Sequence, residues 1–409
     1  MTRIALVTHG FSGGGGVPAV ARWLRSGLET RYGMTADVHD LATSSLDEAS
    51  RRISSPATWR RTSLRTSRTD PEPHEHWGAG GVEIETLRYL PRRELTEALR
   101  GYDLIQVVAG SPAWAAPVLD CGPPVILQVA TLAAWERASQ LSAAGPLLRT
   151  WRRGMTAGVS RVESAALCRA DAVLVENEAM LAHVRAAGQE RVLKLPPGVD
   201  TATFVPAAGG WRRDGHLLTV CRLGDARKGL ATMIRAYHRL VEQDDSAPPL
   251  VLAGHAAVPD TLTTLISRLG LAGRVRIHED PTPAALIRLY QRASVFLQTS
   301  YEEGLGLAVL EAMACGLPVV ATATHGARET VVDGLTGWLA GLADADADAD
   351  ADLASAVAAR VSTALAGAGG LAGKRGRERC VAEFSTDACL RRFVDVYHSA
   401  SRGQWATVS

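Results

Sequence analysis

With 409 residues and 46% hydrophobic content, the chain is long enough for two or three domains with sizeable cores. A formal net charge of +1 sets up no global field, which argues against nucleic acid or an anionic membrane as a partner. The six cysteines are scattered without CxxC or metal spacing, Met1–Leu6 leads straight into a strand, and no apolar run reaches transmembrane length. A soluble cytoplasmic protein with reduced thiols and no integral membrane contact is expected.

Arg3–Thr8 is a short apolar strand that runs into a loop at Gly13–Gly16, and Pro18 suits the first turn of a following helix. The same pattern predicts strands at Ala36–His39, Leu104–Val108, Val125–Val129 and Ala172–Val175. Six arginines lie between Arg51 and Arg68, followed by a Pro/His-rich piece to His76, which predicts an irregular surface excursion. His74 and His76 flank Glu75 in that loop, a spacing that argues against a metal site. Trp23, Trp59, Trp77, Trp114, Trp135 and Trp151 fall in the N-terminal half; most are expected to pack, and one or two to wall an acceptor pocket or face a cationic group. The segment Leu147–Arg153 suits a membrane surface, but the near-zero net charge favours an acceptor-side loop or helix.

Both periodicities break at Leu195–Asp200, LPPGVD, and a second series of strands follows at Leu217–Cys221, Leu250–Ala253 and Val275–His278. Two blocks of alternating strands and helices imply an α/β chain with two parallel-sheet domains. The stretch Ser294–Thr322 is the most informative: a buried strand to Gln298, a loop with Glu303, Gly304 and Gly306, a helix Leu307–Cys315 and a strand Val319–Thr322. Gly316 fits a helix stop and Pro318 forbids continuation. Gly304 and Gly306 leave backbone N–H groups bare at a helix N-terminus, an anion site. Carboxylates at Glu303 and Glu311 do not bind that anion; they suit the hydroxyls of what carries it. The plainer alternative is a helix-start carboxylate plus a surface ion pair. Beyond, the Ala-Asp repeat Ala343–Asp352 lacks the glycine and closing Glu of a calcium loop and reads as a solvated linker before a helix near Leu353.

Glu303, seven intervening residues, Glu311 and then Ala-Met-Ala-Cys-Gly-Leu-Pro-Val-Val resemble the signature of retaining GT-B glycosyltransferases of family 4, the glycosyl transferases group 1. The resemblance is specific over Lys194–Ala400 and implies two Rossmann-like domains facing a cleft. Residues 1–195 would be the acceptor-side domain, with the C-terminal helix 385–409 packed back on it, and 196–384 the donor-binding domain. Glu303 would contact sugar hydroxyls and Glu311 the ribose, with Gly304, Leu305, Gly306 and Leu307 amides on sugar or phosphate. Arg222 and Lys228, in CRLGDARKGL, match the pair that clamps the donor diphosphate. Fixed cations favour the transition state there, because the leaving diphosphate gains charge. Lys228 at a helix start is otherwise slightly unfavourable. Gly15 and Gly16 match the family's N-terminal glycine turn. The implied reaction is retaining transfer from a UDP- or GDP-sugar to a small polar acceptor, in the manner of antibiotic-assembly enzymes. No cofactor or metal is expected, and a homodimer stays open.

Many family members carry a His just after the strand that Val125–Val129 represents, contacting the sugar near C6; here Ala130 stands there. The resemblance then implies a donor modified or extended at C6, unless Thr131 or His9 supplies the contact. His9, Ala130, Thr131 and Trp135 are the acceptor-side candidates. Two rival readings remain. Gly14-x-Gly16-x-x-Ala19 with Asp40 satisfies a relaxed dinucleotide fingerprint, which would make an NAD-dependent oxidoreductase. A sugar-nucleotide 2-epimerase shares the GT-B fold.

Overall fold

The structure, a computed structural model, describes residues 2–142, 145–341 and 349–402. The chain divides into two compact units, Met1–Pro197 with Cys389–Ser409, and Gly198–Ala388.

The first unit is built on an eight-stranded sheet: β1 Arg3–His9, β2 Thr35–Leu41, β3 Arg65–Arg68, β4 His74–Trp77, β5 Leu104–Ala109, β6 Val125–Val129, β7 Ala172–Val175 and β8 Val192–Lys194. Their order is β3-β4-β2-β1-β5-β6-β7-β8, and only β3 runs antiparallel to its neighbour. β5, LIQVVA, and β6, VILQV, are buried at every position, as parallel strands covered on both faces require. The helix Gly16–Tyr32 turns Val20, Leu24, Gly27 and Leu28 inward at helical spacing. Against it lies the helix Thr386–Ser401, with Leu390 on the bare face of Gly27 and Phe393 edge-on to Trp23, ring centres 5.6 Å apart.

The Arg51–His76 stretch corrects the expectation of an irregular excursion. Its last part is the pair β3–β4, which extends the sheet beyond β2. RTSR and HEHW carry no apolar run, so periodicity gave no strand signal. The two strands form because β4 completes the hydrogen bonds of β2, and because the buried His74 and His76 find partners, His74 at the nearby Glu72 carbonyl and His76 at the sequence-distant Asp40 and Asp47.

The second unit holds a six-stranded, wholly parallel sheet: β9 His216–Val220, β10 Leu250–Gly254, β11 Val275–Glu279, β12 Ala293–Gln298, β13 Val319–Thr322 and β14 Gly337–Ala340, ordered β11-β10-β9-β12-β13-β14. The helix Leu230–Gln243 buries Leu230, Met233, Ile234, Tyr237 and Leu240, one face of the 3.6 period. The helix Leu307–Ala314, LAVLEAMA, is apolar on every side and lies in the core, with Glu311 its one polar side chain. The helix Ala349–Thr363 begins inside the Ala-Asp repeat, earlier than the expected start near Leu353; residues 343–348 of the repeat lie outside the described residues.

Candidate functional site

In the second unit the chain leaves β9 toward β10 on one side and meets β12 on the other, so the strand order reverses between β9 and β12. Open parallel sheets bind ligands at the carboxyl ends of strands at such a point, because the two adjacent loops part there. The loops are 221–229 after β9 and 299–306 after β12, and hydrogen bonds tie them together. Thr299 Oγ1 donates to the carbonyls of Lys228 (3.2 Å) and Gly229 (3.0 Å), and the Tyr301 N–H donates to Arg227 O (2.8 Å). Gly229 has φ +60°, and a Cβ there would stand 2.1 Å from Thr299 O, so only glycine permits this approach. Within the first loop Asp225 accepts from the Arg227 N–H (3.0 Å) and pairs with its guanidinium (2.7 Å).

This stitching brings Lys228 to Glu303: Nζ donates to Oε2 at 2.8 Å, and both side chains are largely buried. Burial works against the ammonium, but the Glu303 charge and hydrogen bond outweigh it, so the Lys228 pKa is raised. Ser300 Oγ (3.1 Å) and Gln298 Nε2 (3.4 Å) also donate to Glu303 Oε2. Behind the loop, the Gly326 N–H donates to Glu303 O at 3.0 Å, and a Cβ on Gly326 would meet Leu305 N at 2.6 Å. Gly306, φ +89°, opens the helix Leu307–Ala314 without a side-chain cap. Arg222, exposed at the head of the first loop, accepts through its carbonyl from the Asp225 N–H (3.1 Å). Cys221 is no nucleophile, since burial holds its thiol protonated, up to about 12.

Glu311 faces Tyr290, whose hydroxyl donates to Oε2 at 2.6 Å. Burial raises the Glu311 pKa to about 7, the tyrosine hydrogen bond pulling the other way. A carboxylate alone on an otherwise apolar core helix adds nothing to packing and costs desolvation.

The first unit has its own reversal, between β1 and β5. The glycine loop follows β1, with Gly15 at φ +118° as the N-cap and Gly16 as the first residue of the helix. His9, at the end of β1, stacks on Trp114 (ring centres 4.5 Å, 20° between planes) and accepts through Nε2 from the Gly110 N–H at 3.4 Å. Burial lowers its pKa to about 4, against the opposing charge of Asp40, so the ring is neutral at pH 7. Ala130 follows β6 directly and is half-buried; the next residue, Thr131, is buried with no partner for Oγ1 among the described residues. Trp135 packs partly buried against the core, edge-on to His183. Asp40, the acid that a dinucleotide fingerprint needs for a ribose, is engaged otherwise. It accepts from the Phe11 N–H (2.9 Å) and from His76 Nδ1 (2.7 Å).

Residues 211–355 match the family Glycosyl transferases group 1. The D-inositol 3-phosphate glycosyltransferase of Mycolicibacterium vanbaalenii is 31% identical over 270 residues, 61% of this chain and 58% of that protein. Its counterpart in Actinosynnema mirum is 34% identical over 169 residues, 38% of this chain and 40% of that one. Sucrose-phosphate synthase from Thermosynechococcus elongatus superposes with a TM-score of 0.73 at 22% identity, covering 99% of this chain and 100% of its own. HepE of Anabaena, solved with UDP-glucose, gives 0.70 at 16%, covering 98% and 100%. Residues 211–355 thus resemble the group 1 glycosyltransferases, and the chain has the GT-B fold.

The matches span roughly half the length of these curated relatives, 40% to 58%. The group 1 match covers both loops of the second unit, from Arg222 to Glu311. Of the residues singled out in the sequence, Lys228 and Glu303 are in direct contact, and Gly304, Leu305, Gly306 and Leu307 form the turn beside them. Glu311 meets Tyr290. His9, Ala130, Thr131, Gly15 and Gly16 lie at or just beyond the strand ends of the first unit, and Trp135 on the helix after β6. Sequence reasoning missed Tyr290, Gln298, Ser300 and Gly326. Tyr290 sits at core spacing with Leu286 on the helix Pro283–Arg292, and only its partner shows its role. Among the described residues no three His, Cys, Asp or Glu side chains come together to hold a metal ion, and no helix is long and apolar enough to cross a membrane.

Proposed function

We propose that the chain is a retaining glycosyltransferase that moves a sugar from a UDP- or GDP-linked donor to a small polar acceptor, such as a hydroxylated specialised metabolite. The observation that carries this is the Lys228–Glu303 contact beside the uncapped helix start at Gly306, at the carboxyl ends of β9 and β12. A cation and bare N–H groups meet a diphosphate there, and the carboxylate is left for sugar hydroxyls. Glu311 takes the ribose and Arg222 the outer phosphate. The bond from the anomeric carbon to the phosphate oxygen breaks as the acceptor oxygen bonds to the same face. The acceptor proton passes to the departing phosphate, whose charge Lys228 and Arg222 balance. The relatives' names, which carry D-inositol 3-phosphate, a small polar molecule, support that class.

With Ala130 standing where the family resemblance leads one to look for a His, a donor sugar modified or extended at C6 is the reading that this substitution supports. Competition between nucleotide sugars differing only at C6 tests this; preference for the plain hexose overturns it. For the reaction itself, purified protein is incubated with UDP- and GDP-sugars and a panel of polyols, and the product's anomeric coupling is read by NMR. An α-linked donor is expected to give an α-linked product. Inversion, a 2-epimerised nucleotide sugar formed without acceptor, or thermal stabilisation by NAD alone would overturn the assignment.

A further inference from the structure

Tyr290 lies in the core with its ring edge-on to Phe204 and beside Phe296, centres 5.7 and 5.9 Å away, and its position is thereby fixed. Its hydroxyl is 2.6 Å from Glu311 Oε2 and 3.4 Å from Ala308 O. We propose that Tyr290 is the positioning residue of the nucleotide site: it holds Glu311 Oε2, turns Oε1 toward the ribose diol, and makes nucleotide binding depend on the proton that the pair shares. This role depends on Glu311 being the ribose ligand assigned above.

A tyrosine hydroxyl has one proton and two acceptor sites. When Glu311 is ionised, that proton goes to Oε2. When Glu311 is protonated, its own O–H donates to the Tyr290 oxygen, and the tyrosine proton turns to the Ala308 carbonyl. Both charge states are hydrogen-bonded, so the pair changes charge without leaving a buried orphan. The ionised form accepts from the ribose hydroxyls through charge-assisted bonds, roughly twice as strong as those to the neutral acid. Burial places the Glu311 titration at about 7, while Tyr290 stays protonated, pushed well above its usual value by burial and the Glu311 charge. The other groups facing the pair are Cys315, Cys221, Cys380 and Arg377. The Cys315 and Cys221 thiols are held up at about 12 by burial. Cys380 donates to Leu310 O (3.5 Å), and the Arg377 guanidinium is engaged by the carbonyls of Thr201, Phe204 and Ala314.

The test measures dissociation constants of UDP-glucose and GDP-mannose from about pH 5.5 to about pH 9, a range in which their diphosphates do not titrate. Wild type is expected to lose affinity as pH falls through about 7. Tyr290→Phe keeps the ring and removes the donor; its midpoint is expected about one unit higher, with affinity about fivefold weaker at pH 7. Tyr290→3-fluorotyrosine makes the hydroxyl a stronger donor and is expected to move the midpoint down, which a merely structural role does not do. Glu311→Gln is expected to bind weakly with no midpoint. Wild-type profiles for both Tyr290 variants overturn the positioning role while leaving Glu311 as ribose ligand. A wild-type pH profile in Glu311→Gln overturns the shared-proton account. A wild-type protein that binds neither nucleotide sugar at any pH overturns the proposed function and this role with it.

Discussion

At Glu311 function and stability oppose each other, and the sign can be worked out. The folded carboxyl keeps its proton up to about 7, whereas the free group releases it near 4.5. Between those values the folded state binds more protons, so stability falls as pH rises through the window. Glu311→Gln removes the titration and keeps an acceptor for Tyr290. At about pH 8 it is expected to be more stable than wild type by up to about 3 kcal/mol, with no gain below about pH 4.5. Urea unfolding at both pH values checks this; an equal gain at both refutes the linkage. Lys228 behaves in the opposite way. Lys228→Ala leaves Glu303 without its cation and is expected to lower kcat/KM by on the order of 10²-fold. Wild-type turnover in that variant would remove Lys228 from the diphosphate clamp.

Between elements, His76 on β4 is the clearest coupling. Its ring nitrogens stand 2.7 Å from Asp40 on β2 and 2.7 Å from Asp47 in the following loop, which requires both nitrogens to donate, as the imidazolium does. Burial opposes that charge but the two carboxylates prevail, and the pKa is raised from 6.5. The stabilisation is therefore complete below 6.5 and is lost as pH rises through the folded value. Raising pH through the folded value is expected to loosen β3–β4 and, through the Asp40–Phe11 bond, the glycine loop; lower amide protection factors at 65–77 and 10–16, corrected for intrinsic exchange, read this out. Unchanged protection factors there, or the same response in His76→Gln, would sink it. None of this was legible along the chain. Strands such as VILQV and VVAT declare themselves by continuous apolar burial, whereas RTSR and HEHW are strands only because β2 offers an edge and two distant aspartates neutralise a histidine. The same holds in the site. Lys228, Glu303, Gly306 and Glu311 could be picked out from spacing. Tyr290 and Ser300 acquire roles only once the second sheet and its loops bring them to those carboxylates, and Gly326 once its N–H reaches the Glu303 backbone carbonyl.

For the whole molecule, the chain end decides what the first unit needs. From Cys389 onward the last helix belongs to that unit, although the sequence between the two parts forms the second. Leu390, Phe393 and Tyr397 are fully buried, Phe393 against Trp23 and Leu390 on Gly27. Burying three such side chains stabilises by about 1.5–3 kcal/mol each. Their sum is comparable to the entire stability of a typical domain. Ending the chain at Ala388 also strips the apolar face of the helix Gly16–Tyr32, exposing Trp23 and Gly27. The truncated protein is expected to lose amide protection throughout β1, β2 and β5. Protection is expected to persist in β9, β10 and β12, whose cores contain no residue beyond Phe384. Nucleotide sugar added to the truncated chain is then expected to slow exchange in 221–229 and 299–306. Native protection of β1 after truncation would show that the helix Thr386–Ser401 is dispensable to the first unit, and loss of protection in β9 would show that the two cores do not unfold separately.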